Sequence, residues 1–422
     1  MVCYIVLMAE KRKKYDVVVI GGGASGMMAA GRAAERGKSV ALLEKNTAVG
    51  KKLDITGGGR CNITNAEFDK HAFAKHYGSA EQFLYSALSQ FGVQSTFDFF
   101  EKLNLPLVVE ARKRAFPQTQ KAPDVTRALK GYMARHGVEI IASAPVRELH
   151  VEGGRITEAV AARGTYVAEN FIVATGGASH PETGSTGDGF TWLSALGHSV
   201  QAPTPTIVPL KLREEWVKAL AGVSLSFMKI TFFLGGKKAF SKTGKLLFTH
   251  FGLSGPLILN SAGKVAELLK GGDVTAAIDM YPDTDFAALE RQILAKLDAN
   301  KNKDFKNVLD DIVPHGMARA ILEMLKLPDS HIKSHSLTKE DRKRLVHILK
   351  GAPVTVLGLM GFDRAVISDG GVPLKEVDTR TMRSLIVPNL YLTGDVLHIN
   401  RPSGGYSLQL CWTTGFVAGS NV

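Results

Sequence analysis

The stretch Asp16-Val17-Val18-Val19-Ile20-Gly21-Gly22-Gly23-Ala24-Ser25-Gly26 decides the fold. Its β-branched run reads as a strand buried on both faces. The glycine-rich turn after it leads directly into a helix-like segment, 27–36, and a second strand, 39–43. The pattern GxGxxG falls on Gly21, Gly23 and Gly26, between strand and helix, the context in which it marks a dinucleotide diphosphate. Gly21 permits the tight turn, Gly23 lets the backbone approach a pyrophosphate, and Gly26 allows close helix packing. Ala24 and Ser25 open the helix, whose N–H groups and positive dipole end favour an anion. Glu44 closes the second strand 18 residues beyond Gly26, with Lys45 beside it. A carboxylate there suits the hydroxyls of an adenosine ribose and disfavours a ribose phosphate. NAD satisfies this first unit as well as FAD does.

Further along, 123–136 reads as helix and 138–142, 145–151, 155–162 and 165–174 as strands, with Gly153, Gly154 and Gly164 at the turns. Pro203, Pro205 and Pro209 suit a linker. A β-rich insert is expected over 203–284, and a helical one over 285–352 with amphipathic segments 286–297, 317–325 and 341–349. Thr338 with Asp341 makes a capping-box-like start for the last of these. Strand-like sequence returns at 353 and closes on a small-residue helix, 406–418. The expected architecture is therefore an α/β, Rossmann-like three-layer domain of residues 1–202 and 353–422, interrupted by the insert. Gly184 to Gly189 follows Ala174-Thr175-Gly176-Gly177 without a strand of its own, so a dedicated NAD(P)H domain is not expected.

Bulk properties narrow the class. The chain has 422 residues, 45% hydrophobic and 22% charged, with no apolar run long enough to span a bilayer, so a membrane role is not expected. Its three cysteines, Cys3, Cys61 and Cys411, are scattered, which argues against a disulfide framework and a zinc site and for a cytoplasmic location. An apolar run precedes the basic cluster at 11–14, the reverse of a signal peptide, and residues 1–14 read as a disordered extension. The net charge of +12 fits a solvated basic surface around a diphosphate-bearing cofactor. No RNA-binding signature with interleaved aromatics accompanies it, so nucleic acid is not the expected partner.

The choice between the two dinucleotides comes from KKLDITGGGRCNITN (51–65), RAFPQTQKAPDV (114–125), ATGGAS (174–179), TGSTGDGF (183–190), FTHFGLSGP (248–256), TMRS (381–384) and TGDVLHINRPSGGYSLQLCWTTGFVAG (393–419). On these segments the chain resembles, nearly end to end, the bacterial BaiN/YhiN-like flavoproteins, which include aminoacetone oxidase-like proteins, within the glutathione-reductase-type FAD enzymes. The resemblance implies FAD lying extended across the first domain. Lys51 and Lys52 lie in its first motif, and Gly57, Gly58, Gly59, Arg60, Cys61 and Asn62 run past the flavin. Val146, Thr175, Gly176 and Gly177 lie near the adenine side, and Gly394 precedes Asp395, which holds the ribityl chain. Gly404, Gly405 and Tyr406 open a helix aimed at the flavin pyrimidine, where it would stabilise negative charge on reduction. The sequence departs from the family in having Asp395 where glutamate is frequent, and His398, Arg401 and Pro402 in a segment more acidic elsewhere.

Cys61 has no neighbouring cysteine to complete a dithiol and reads as a packing or flavin-contact residue, and Cys411 as a small buried hydrophobe. His180, His250 and His398 sit in glycine-rich loops where an imidazole can move a proton. With Tyr406, His180 and His250 form the catalytic set, His250 first because FTHFGLSGP carries the resemblance. Arg112 and Arg114 could hold an anionic substrate. The expected function is an FAD-dependent oxidoreductase acting on a small organic substrate by hydride transfer at flavin N5, with NADH or NADPH as transient donor and a C=C bond as acceptor. An oxygen-using amine oxidase and an RNA-directed flavoprotein are the alternatives.

Overall fold

The computed structural model describes residues 12–327 and 331–422. The expectations for residues 1–11, Cys3 among them, lie outside the described residues. Lys13 and Lys14, read with the N-terminal extension, instead open the first strand, where Lys13 pairs with Tyr166. The chain forms two units, one ending at Pro205 and resuming at Val366–Val422, the other Thr206–Ala365.

In the first unit, β1 (Lys13–Ile20), α1 (Ala24–Glu35) and β2 (Val40–Leu43) build the βαβ opening, with β1 and β2 parallel from Val17↔Val40 to Ile20↔Leu43. Val17 to Ile20 are buried because both sheet faces are covered, which is why the run is continuous rather than alternating. Parallel neighbours extend the sheet through Glu139–Ile141 beside β2 and through Gly164–Val173 beside β1, with Leu390–Leu392 beside the end of the latter. Arg155–Ala161 and Val146–Glu152 continue it as an antiparallel meander. The C-terminal helix, Tyr406–Asn421, lies directly on α1. Gly415 and Gly419 make that possible: a Cβ on either would sit 2.4 Å from the carbonyl oxygen of Ser25 or Ala29. Four residues apart, they share one helix face, and the close approach carries the start of the helix to the glycine turn.

Short helices at 51–102 have no counterpart in the sequence reading. Glu81–Gln90 and Val93–Lys102 have no side-chain cap and are rich in aromatic and β-branched residues of modest helix propensity. The C-terminal helix holds them instead: Thr413 Oγ1 donates to the Phe91 carbonyl (2.8 Å), Thr96 Oγ1 to Gln409 Oε1 (3.0 Å), and Phe100 meets Trp412 edge-on.

The second unit is a closed six-stranded barrel ordered Leu210–Leu212, Gly252–Ser254, Lys237–Thr249, Ser224–Leu234, Val274–Asp279, Ala352–Leu359, all antiparallel. Helices Phe286–Ala299, Phe305–Ile312, Ala318–Leu325 and Lys339–Gly351 share its core, so the β-rich and helical parts form one unit. Thr338 caps the last of them, accepting from the Asp341 amide (3.1 Å). The sequence pattern alone places the return to the first domain at 353. The structure keeps residues up to Ala365 in the barrel unit, because Ala352–Leu359 is the strand that closes the barrel against Leu210–Leu212.

Candidate functional site

Three glycines of the opening turn have three different surroundings. Gly21 adopts φ 106°, and a Cβ on it would lie 2.5 Å from the Ala174 carbonyl oxygen. A Cβ on Gly26 would lie 1.9 Å from the Gly21 carbonyl oxygen, so α1 starts in contact with the turn. Gly23 meets nothing within 4 Å and faces open space. That space is a cavity lined by Gly21 to Ser25, Glu44 to Asn46, Gly50 to Leu53 and Thr56, with Ala144, Val146 and Ala174 to Gly176 on one wall and Thr183 to Thr186, Asp188 and Trp192 on another. Asp395, Arg401, Ser407, Leu408 and Cys411 close it. The first turn of α1 carries no acid and its first amides have no helical acceptor, so its N-terminus presents donors and positive dipole to the cavity.

Glu44 is 7% exposed. Its Oε2 accepts from the Gly22 amide (2.8 Å) and its Oε1 from the backbone and side-chain nitrogens of Asn46 (2.7 Å each). A carboxylate has about four acceptor sites, so one remains for a ribose hydroxyl. Lys45 donates to Asp188 (2.7 Å) and Thr186 (2.5 Å), pinning the wall at 183–188 to the end of β2. Asn46 Nδ2 also donates to the Thr183 carbonyl (3.0 Å).

Of the cavity's cations, Lys51 and Lys52 have no carboxylate in ion-pair contact among the described residues, and Lys52 is the less exposed of the two; its Nζ reaches Ser179 Oγ at 3.2 Å. Burial holds its ammonium below the usual lysine range, against the pull of Asp395. Lys51 is exposed and donates to Asn46 (3.3 Å). Asp395 pairs with Arg401, whose side chain is 1% exposed and which also donates to the Ile399 carbonyl (2.8 Å) and Ser407 Oγ (3.1 Å). Thr175 Oγ1 is buried without a hydrogen-bond partner among the described residues. A diphosphate-bearing dinucleotide answers these features: an open glycine approach, an unpaired ammonium, a carboxylate with an acceptor to spare and an orphan hydroxyl.

The family described as HI0933-like protein Rossmann domain matches residues 15–421. The chain belongs to that family. Its relatives include the 3-dehydro-bile acid delta(4,6)-reductase of Clostridium scindens, 30% identical over 95% of this chain and 97% of that protein. The ribosomal RNA dihydrouridine synthases of Escherichia coli and Haemophilus influenzae are 26% and 28% identical, over 97% and 96% of this chain and 98% of each relative. Among solved structures, the 3-ketosteroid-delta4-(5alpha)-dehydrogenase of Rhodococcus jostii has a TM-score of 0.55 at 16% identity, covering 99% of this chain and 98% of its own. The chain has the FAD-binding Rossmann-like fold and is an FAD-dependent oxidoreductase of the HI0933-like family.

In this HI0933-like chain the loop Gly57–Gly58–Gly59 runs at φ 63°, 69° and 82°, left-handed backbone that favours glycine three times over, and Cys61 follows at φ 61°. Arg60 stacks on Phe116 (4.2 Å) and donates to Gln120 (2.7 Å) and Glu110. With its amide oxygen toward the helix, Asn62 accepts from the Gly405 amide (3.0 Å). Asn65 donates to the Gly404 carbonyl (3.2 Å), and Thr64 Oγ1 to the buried Gln409 (2.7 Å). These bonds bring together segments 339 and 345 residues apart, and only glycine fits at position 405, with φ 105°, because a Cβ there would lie 2.2 Å from the Thr64 backbone. Gly177 lies against Ser368, whose Oγ would be 2.1 Å from a Cβ there. Gly394 lies over Ser25 and Cys411 in the same way.

The cysteines and catalytic candidates are dispersed. Burial pushes the Cys61 thiol well above its ordinary range and, with the Asp395 carboxylate adding to it, Cys411 up to about 12, so both stay protonated at neutral pH. Tyr406 does not line the cavity. Its ring sits among Phe73, His76 and Tyr77, and burial pushes its hydroxyl up to about 12. His180, at φ 52°, bonds Glu182 (2.8 Å) at the foot of the 183–188 wall. His398 faces Asp369 (3.2 Å). His250 belongs to the barrel unit, exposed on the turn between two strands with its ring on Phe251. Arg112 and Arg114 stand in the strand-turn region 107–117, Arg114 near Phe116. Sequence reasoning omitted Arg401, Asn46, Asp188 and Ser407 from the site. Arg401 stands out as a departure from the family pattern, and Asp188 and Ser407 fall within the quoted segments 183–190 and 393–419; Asn46 carries no signal outside its tertiary setting. No helix among the described residues is long and apolar enough to cross a membrane.

Proposed function

We propose that this chain reduces carbon–carbon double bonds conjugated to a carbonyl. Bound FAD supplies the chemistry: two electrons taken from NADH or NADPH pass as a hydride to the electron-poor carbon of the double bond, and a proton completes its neighbour. The observation that carries this reading is the reaction common to the full-length relatives: the names of both kinds describe saturation of such a bond, in a 3-dehydro bile acid or in a uracil ring. The chain's own residues hold and shield the cofactor. Gly21 to Gly26 take the diphosphate at the head of α1, Glu44 the adenosine ribose, Val146 and Thr175 the adenine side, and Asp395 the ribityl hydroxyls. Gly57 to Asn62 and Gly404 to Gly405, tied to one another, form a rigid backbone edge for the ring.

The test is an anaerobic visible spectrum of the FAD-loaded protein. NADPH or NADH is expected to bleach the flavin bands, and an α,β-unsaturated ketone, not its saturated counterpart, to restore them. Bands that persist with both nucleotides and bleach with a primary amine would replace this reading by the amine-oxidase one.

Lys52 meets an anionic group of the cofactor in this proposal. Its desolvated ammonium has no carboxylate in ion-pair contact among the described residues, so Lys52→Met is expected to leave the apo-protein as stable or up to about 2 kcal/mol more so. The same change should weaken FAD binding about ten-fold or more, as measured by titration of apo-protein with FAD; a tenfold loss corresponds to about 1.4 kcal/mol. An unchanged affinity would remove Lys52 from the cofactor site.

A second reading concerns the carrier of the double bond. The net charge of +12 and the two ribosomal RNA-modifying relatives favour a pyrimidine within RNA over a free small molecule. Reoxidation of the reduced protein by uridine-containing RNA, with dihydrouridine detected in the product, is the expected result. RNA that leaves the bleached spectrum unchanged while a free enone restores it would return the assignment to small molecules.

A further inference from the structure

From Trp216 to Ala266 the chain runs 51 residues without an aspartate or glutamate, and this stretch carries seven lysines. Most of it is the hairpin of barrel strands Ser224–Leu234 and Lys237–Thr249. The register settles which residues face the solvent. Leu225, Met228, Ile230, Phe232, Leu246 and Phe248 are buried in the barrel. On the opposite face Lys229 stands across from Thr243, Thr231 from Ser241 and Phe233 from Lys238. Lys238, Ser241, Thr243 and Lys245 are exposed.

Among the described residues Lys229, Lys238 and Lys245 make no ion pair, and the acid on the adjoining strand opposite Lys229, Asp279, is already paired with Lys350 (2.8 Å). Lys242, on the inner side, gives its ammonium to the Asn260 carbonyl (2.6 Å); burial and then the like charge of Lys264 hold it below the usual lysine range. The patch is therefore a strip of lysines and hydroxyls with carboxylates excluded over two long strands.

We propose that this outer face of the hairpin is the docking surface for the sugar–phosphate backbone of RNA. Same-face residues on a strand repeat about every 6.6 Å, so the strip, broken once by the register shift between Phe232 and Phe233, offers a row of lysine and hydroxyl donors, the groups that contact phosphate without reading sequence. Phe227, half exposed on the same hairpin, offers a ring on which an unstacked base can lie. A membrane surface fits less well, because an interfacial face needs a band of apolar anchors and this one has Thr231, Ser241 and Thr243 at its centre. The proposal takes its partner from the RNA reading above and is independent of which bond is reduced.

The test uses the FAD-loaded full chain, a short single-stranded uridine-containing RNA with a fluorescent end label, and anisotropy titrations across a salt series. Lys229→Gln, Lys238→Gln and Lys245→Gln are combined in one variant; all three side chains leave the barrel core untouched. A second variant, Lys339→Gln, Lys343→Gln and Arg344→Gln, removes the same charge from the helical part of the unit. The hairpin variant is expected to bind RNA about ten-fold or more weakly and to lose about 2 from the slope of log affinity against log salt, at about 0.7 per lost phosphate contact on a single strand. The helix variant should keep the wild-type slope. Wild-type affinity and slope in the hairpin variant, an equal loss in both variants, or a wild-type protein that binds phosphatidylserine vesicles but no RNA would each overturn the proposal. Nicotinamide bleaching and enone reoxidation, measured on the same samples, separate the two readings: RNA unbound with enone reduced defeats the docking surface and leaves the reductase standing.

Discussion

Gly23→Val is expected to give a folded protein without flavin, and Gly26→Ala a protein that is itself destabilised. The two positions are three residues apart in one motif, yet their surroundings are opposite. Gly23 has φ −80° and ψ −170°, a conformation open to any residue, and a Cβ there touches nothing. Valine at this position therefore leaves the apo-protein unstrained and fills only the approach to the cofactor diphosphate. At Gly26 the added methyl would lie 1.9 Å from the Gly21 carbonyl oxygen and 3.2 Å from the Ala174 Cβ, so α1 must withdraw from the sheet. Replacing a helical glycine by alanine ordinarily stabilises by about 0.5–1 kcal/mol. Here the collision is with backbone, and overpacking of that kind costs about 1–3 kcal/mol or more. Flavin absorbance per protein, with thermal melts of both apo-variants beside the apo wild type, decides it. Full flavin content in Gly23→Val would refute the diphosphate assignment, and an unshifted apo melt in Gly26→Ala would refute the packing account. The comparison must be made apo against apo, because bound cofactor stabilises by mass action.

Arg401→Met carries the second large effect. The guanidinium is buried and its removal leaves the Asp395 carboxylate, 13% exposed, without its partner in the cavity wall. Breaking a buried pair from one side costs about 3–5 kcal/mol, whereas replacing both partners by uncharged groups is often close to neutral. Denaturant unfolding of the apo-protein is therefore expected to lose about that much in Arg401→Met and to regain most of it in Asp395→Asn/Arg401→Met. The double-mutant cycle isolates the pairwise part of the interaction. A single variant within about 1 kcal/mol of wild type would mean that the pair behaves as a solvent-exposed bridge. FAD titration separates the stability effect from binding: the double variant, folded but lacking the carboxylate, should bind FAD more weakly than wild type.

The βαβ opening could be read from sequence because everything that specifies it is local. A both-faces-buried strand, three glycines and an acid at the end of the next strand act within some thirty residues. The closing helix was likewise legible, with its end at Asn421 rather than Ala418. The helices at 81–102 were not, since neither caps nor propensity mark them and their hydrogen bonds go to residues 409 and 413. Barrel closure was hidden for a related reason. Leu210–Leu212 and Ala352–Leu359 pair across some 140 residues, and a periodic pattern shows that a strand exists without naming its neighbour.

What the sequence determined by itself was the chemistry of the cradle: which backbone positions must lack a side chain, where an acid stands, and that the pattern suits a dinucleotide. Tertiary structure alone decided which charges remain unpaired. Lys45, Lys51, Lys52 and Arg401 are alike as cationic residues in a string. Only folding gives Lys45 an Asp188, Arg401 an Asp395 and Lys51 a surface position, and leaves Lys52 and the outer-face hairpin lysines without a carboxylate among the described residues. A charge's consequence depends on its distance from other charges and on the dielectric around it, and both are set by segments that meet only in the folded chain.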